Sequence, residues 1–157
     1  MEKADFSKFG KVFQDKLTYL ILTERTFANQ IGEVLDINFL EFKYLQTIVR
    51  SIYDYKEKYE VYPSLKIMAS LIRNEVSDEI VKEQSKEYLI SVLSDSSIIE
   101  DCEYVKETSL DFCKKQKLKE AMLTSVKLLN RSSFDEISTV INEALKLGSD
   151  NDFGYDY

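Results

Sequence analysis

Side chains able to perform chemistry are few in this chain, and their types narrow what it does. Histidine is absent, which removes Cys/His zinc sites, imidazole acid–base chemistry and the Ser-His and Cys-His nucleophile pairs together. No Gly-Lys-Ser/Thr occurs, so there is no Walker A loop to cradle a nucleoside triphosphate. Cys102 and Cys113 would lie about 16 Å apart along one helix. That is beyond the reach of a disulfide, and they read as reduced, half-buried thiols. Asp150, Asp152 and Asp156 are spaced somewhat like an EF-hand loop, but the glycine is out of register and no position-12 glutamate follows. A linker is the better reading. The residues predict no catalytic, metal-binding or cofactor-binding site, and no enzyme activity for this chain.

Two constellations suggest binding instead. Tyr53, Tyr55, Tyr59 and Tyr62 interleave with Lys56 and Lys58, a pattern able to stack bases of single-stranded DNA. Asp54, Glu57 and Glu60 outnumber those lysines and would repel phosphates, so amphipathic tyrosines at a core edge are expected. The second constellation is Lys114, Lys115, Lys117 and Lys119. Residues 114–131 carry six Lys/Arg against one Asp/Glu in a chain of net charge −7. The block is a candidate weak contact to DNA or a partner, or a solvated neck beside the acidic 75–111 region. The overall charge argues against the chain gripping a duplex by itself.

The elements that must position these residues are helices. One proline and four glycines in 157 residues are too few to turn a β-rich chain, and 44% hydrophobic residues suffice for a core. No run of about eighteen apolar residues exists to span a membrane. The N-terminus lacks the apolar segment of a signal peptide, so a cytoplasmic protein is expected. Apolar stripes mark helices at Phe13, Leu17, Leu20 and Ile21, at Phe27, Ile31, Val34 and Leu35, and at Phe42, Leu45, Ile48, Val49 and Ile52. Asn38 with Glu41 is the expected cap of the third. Ser64 caps a short helix from Leu65 to about Arg73. Val81, Tyr88, Leu89, Val92 and Leu93 fit a helix opening near Ser77. Residues 1–94 thus read as a compact bundle of about five helices.

A break at Ser94–Ser97 and the capping box Ser97-Ile98-Ile99-Glu100 then open a helix without Gly or Pro as far as Arg131. A second box, Ser133-Phe134-Asp135-Glu136, starts a return helix that Gly148 should end. Residues 97–147 are therefore expected to form a projecting antiparallel helical hairpin on the all-α bundle. The apolar stripe of the long helix changes sides at the lysine block. Ile98, Cys102, Val105 and Phe112 share one face, and Leu118, Met122 and Leu129 lie nearly opposite at about 100° per residue. The return helix adds Ile137, Ile141 and Leu145. Two helices cannot close a core around these six residues. A second copy completing a four-helix arrangement is the simplest solution, so Leu118, Met122, Leu129, Ile137, Ile141 and Leu145 form the candidate self-association interface.

A helical bundle, a projecting hairpin and then a linker is an architecture with a known counterpart. Ser51-Ile52-Tyr53-Asp54-Tyr55-Lys56-Glu57-Lys58-Tyr59-Glu60-Val61-Tyr62-Pro63-Ser64, Tyr104-Val105-Lys106-Glu107-Thr108 and Asp152-Phe153-Gly154-Tyr155-Asp156-Tyr157 resemble segments of the N-terminal domain of phage-type DnaB-family replicative DNA helicases. The resemblance implies that residues 148–157 are a linker toward a motor domain absent from this chain. It implies a collar domain on a hexameric ring that assembles through the hairpins and docks primase and a helicase loader in DNA replication. ATP and Mg would belong to the motor, DNA contact to the full helicase, and a phage-encoded protein would work in the host cytoplasm. The alternative is a stand-alone helical adaptor that binds a partner protein through its hairpin.

Overall fold

The computed structural model describes residues 4–130 and 134–151. It is all-α, with no strand among the described residues. The helices are α1 (Lys11–Thr23), α2 (Arg25–Gly32), α3 (Lys43–Tyr59), α4 (Leu65–Glu75), α5 (Glu79–Ser94), α6 (Cys102–Leu129) and α7 (Phe134–Asn151), with short 3-10 turns at Phe6–Phe9, Ile37–Phe39 and Ser96–Ile99.

Side-chain caps set several of the boundaries. Ser64 accepts a hydrogen bond from the Ile67 N–H, which fixes the start of α4 where the sequence places it. Elsewhere a neighbour takes the role. Asn38 lies inside the 3-10 turn that Asp36 caps, and α3 begins after Phe42 with no side-chain cap. Helix α5 opens near Ser77 as expected, and Asp78 caps it by accepting from the Ile80 and Val81 N–H groups. The box predicted at Ser97 is replaced by Asp95, which accepts from both the backbone and the hydroxyl of Ser97 and holds a 3-10 turn. Asp101 then adopts the left-handed region (φ 62°) before α6 starts at Cys102. Ser133 lies outside the described residues. Gly148 does not end the return helix, which runs on to Asn151.

The core gathers the predicted stripes, with Leu17, Leu20, Ile21, Ile31, Leu45, Ile48 and Ile52 buried, and Met68 and Ile72 of α4 join them, each contributing roughly 1.5–3 kcal/mol. Leu93 departs from its stripe and is exposed. The core also continues past residue 94. Val105, Leu110, Phe112 and Cys113 of α6 join it, and Phe6 packs against Phe13, Phe39 and Phe112 at ring-centroid distances of 6.0, 5.7 and 5.0 Å. Buried polar groups are tied across elements. Gln14 Nε2 donates to Glu41 Oε1 (3.2 Å) while the Glu41 N–H donates to Gln14 Oε1 (2.7 Å). Asp15 accepts from Lys11 (2.9 Å) and the Tyr44 hydroxyl (2.9 Å), and its carbonyl accepts from Tyr88 (2.6 Å). One turn of α1 thereby clamps α3 and α5. Gly32 meets the Tyr53 ring so closely that an added Cβ would stand 2.9 Å from it, and the Tyr53 hydroxyl donates to the Ala28 carbonyl.

Candidate functional site

The two halves of α6 differ in what they touch. On the first half, Lys106 pairs with Glu24 of the α1–α2 junction (2.7 Å) and with Glu103 (3.1 Å), and its pKa is raised chiefly by the bond to Glu24. Cys113 is buried there, which pushes its thiol up to about 12. Cys102 is half-buried, and both cysteines are free. Beyond Cys113 the helix packs against α7. Ala121 is buried, and Lys117, Ser125 and Leu128 are half-buried. From α7, Ile137, Val140, Ile141, Ala144 and Leu147 are half-buried, and Leu147 also packs against the core.

The six predicted interface residues divide into two groups. Ile137 and Ile141 are half-buried on the face of α7 that carries its other half-buried apolar residues. Leu118, Met122, Leu129 and Leu145 are exposed, Met122 at 59% and Leu129 at 53%. Val126 (57%) falls between Met122 and Leu129 on the same side of α6, and Phe134 (68%) opens α7. Val126 and Phe134 complete the apolar strip, and neither is among the six residues expected at the interface. For Val126 the i, i+4 spacing from Met122 was the available signal. On the other side of the helix pair a shallow cleft of about 570 Å³ mixes Lys117, Glu120, Lys127 and Glu143 with the apolar Leu123 and Val140.

The basic block is not a bare cationic patch. Lys115 pairs with Asp111 (2.9 Å), and Lys117 lies 3.9 Å from Glu120. Lys119 is exposed and Lys114 half-buried. The tyrosines of the run make contacts within the chain, although Tyr59 is 53% exposed. Tyr62 donates to Asn29 and sits under both Arg25 and Lys56. The Tyr55 and Tyr59 rings contact each other at 4.6 Å. Burial raises the pKa of both Tyr53 and Tyr88. These shifts come from core packing and do not converge on an opening. Among the described residues no group of three His, Cys, Asp or Glu side chains stands close enough to hold a metal ion, and no helix is long and apolar enough to cross a membrane.

What the fold and this surface define is an all-α protein with an apolar strip on its last two helices. No family model, no curated protein and no solved structure matches the chain.

Proposed function

We propose that the chain is an assembly and docking module: the N-terminal collar domain of a DnaB-family hexameric replicative helicase, with α6 and α7 as its projecting hairpin. The observation that carries this reading is the exposed strip of Leu118, Met122, Val126 and Leu129 on α6 with Phe134 and Leu145 on α7. Contiguous exposed apolar side chains of this kind mark contact sites. Leu147 packs on the core near the end of α7, so α7 runs back toward the bundle, antiparallel to α6. Antiparallel helices turn in opposite senses when viewed from one end. Each exposed stripe lies roughly 80–90° round from the contact face, by helical geometry, and the two therefore fall on the same side of the pair. A second copy, related by a two-fold axis, covers such a face with its own, and dimers of this kind build a hexamer as a trimer of dimers. Primase and loader docking, and ATP and Mg in a following motor, come with the helicase reading through the resemblance of the three segments described above.

Reading the frame downstream of Tyr157 in the gene tests the proposal. A Walker A motif following in frame supports the collar domain. A stop codon refutes it and leaves the adaptor, for which the same strip would receive a different protein.

A further inference from the structure

A second surface lies on the bundle, away from α6 and α7, and does not depend on the assembly reading. Helices α4 and α5 enclose a groove of about 420 Å³ lined by Leu65, Ala69, Leu89, Ile90 and Leu93, with Arg73 and Lys86 also in its wall. Ile90 and Leu93 are 64% and 71% exposed, although both belong to a helix whose Tyr88, Leu89 and Val92 are buried. Leu65 with Ala69, and Leu89 with Leu93, are i, i+4 pairs. They form ridges at helical pitch, between which a third helix would seat its own apolar ridge. The two cations give the groove its sign. Among the described residues no carboxylate lies within ion-pairing distance of Arg73 or Lys86, whereas Lys82, one turn before Lys86, pairs with Glu79 at 3.5 Å. Glu83 and Glu87 lie about 20° and 60° round α5 from Ile90, but neither lines the groove. An unpaired cation pair beside an apolar floor, in a chain of net charge −7, complements carboxylates flanking bulky apolar side chains. Nucleic acid fits less well, because the groove offers no aromatic ring to stack on.

We infer that the α4–α5 groove docks an acidic amphipathic helix of another protein, with Leu65, Ala69, Ile90 and Leu93 receiving its apolar side chains and Arg73 and Lys86 its carboxylates. The probe is a synthetic helical peptide with leucines at i, i+4 and i+7 flanked by glutamates. Its control is the same peptide with every glutamate replaced by lysine. Both are titrated onto the full chain and followed by amide chemical shifts and fluorescence anisotropy. The glutamate peptide is expected to move the amides of Ala69, Ile90 and Leu93 and to bind about tenfold or more tighter than the lysine peptide. Arg73→Glu with Lys86→Glu, both at exposed positions, should reverse that order while circular dichroism stays unchanged. Equal binding of the two peptides overturns the inference. So does a preference that survives the double substitution, or shifts confined to α6 and α7. If a peptide of residues 150–157 fills the groove more tightly than the glutamate peptide, the occupant is the chain's own segment. If Ile90 and Leu93 shift with protein concentration alone, it is a second copy. Either result also overturns the inference.

Discussion

Replacing Met122 and Leu129 together by glutamate should abolish self-association and leave the monomer intact. Met122, Val126, Leu129, Phe134 and Leu145 each keep more than half of their surface exposed. Covering the remainder contributes roughly 1 kcal/mol per side chain. Two copies burying their strips against each other therefore gain on the order of 10 kcal/mol, against about 4–15 kcal/mol for lost rotational and translational freedom. The two terms nearly cancel, so the isolated chain should form a weak dimer, populated from high micromolar to millimolar protein. The double substitution removes about 4 kcal/mol of the symmetric gain. It also places four carboxylates in the covered face at several kcal/mol more, so no dimer should form at any reachable concentration. In the monomer both positions face water, where a substitution typically changes stability by about 0.5 kcal/mol or less, and glutamate is as good a helix former as methionine or leucine. Ile141→Glu is the contrast. That side chain is half-buried on the face of α7 turned to α6, so its replacement should lower the melting temperature whatever the oligomeric state. Sedimentation equilibrium, with circular dichroism on each variant, decides. A wild type that stays monomeric to millimolar concentration would refute the shared strip, as would a Met122→Glu, Leu129→Glu protein that still dimerises.

Three further outcomes follow from the geometry. Gln14→Ala removes a side chain that is buried to 0% exposure and exchanges two hydrogen bonds with Glu41. It should cost about 1–3 kcal/mol, a fall of roughly 3–10 °C in melting temperature measurable by thermal denaturation. Stability should decline as pH rises above about 9. Burial raises Cys113 from 9.0 to about 12 and pushes Tyr44, Tyr53 and Tyr88 above their ordinary 10.0. Protons are thus lost from the unfolded chain first, and the stability present below pH 9 falls as these groups approach their folded values. Urea titrations from pH 7 to 11 should show the decline beginning later in Cys113→Ala. Finally, short single-stranded DNA should bind weakly or not at all near physiological salt, since the net charge is −7 and Lys115 is ion-paired with Asp111. Salt-sensitive submicromolar anisotropy binding would instead make Lys114, Lys115, Lys117 and Lys119 contact residues.

The all-α class was decided locally. With so few glycines and prolines, and apolar residues recurring at three and four positions, no other backbone could bury Leu45, Ile48, Val49 and Ile52 together. The change of side along α6 was legible for the same reason. Phe112 is buried and Met122 exposed because a helix carries its faces at a fixed rotation per residue. Cap choice was less legible, since several short polar residues compete at each helix start. Asp95 accepts where a box opening at Ser97 was expected, and Asp78 is the cap of α5. Tertiary structure alone decided which apolar residues found partners. Leu89 and Leu93 are equivalent on the α5 wheel to within about 40°, yet one is buried and the other lies open beside Arg73 and Lys86. Likewise Ile141 and Leu145 sit one turn apart on α7, but only Ile141 is partly covered. Periodicity fixes where a side chain sits on its own helix. Whether another element covers it depends on contacts distant in sequence, and these exist only once the helices have packed.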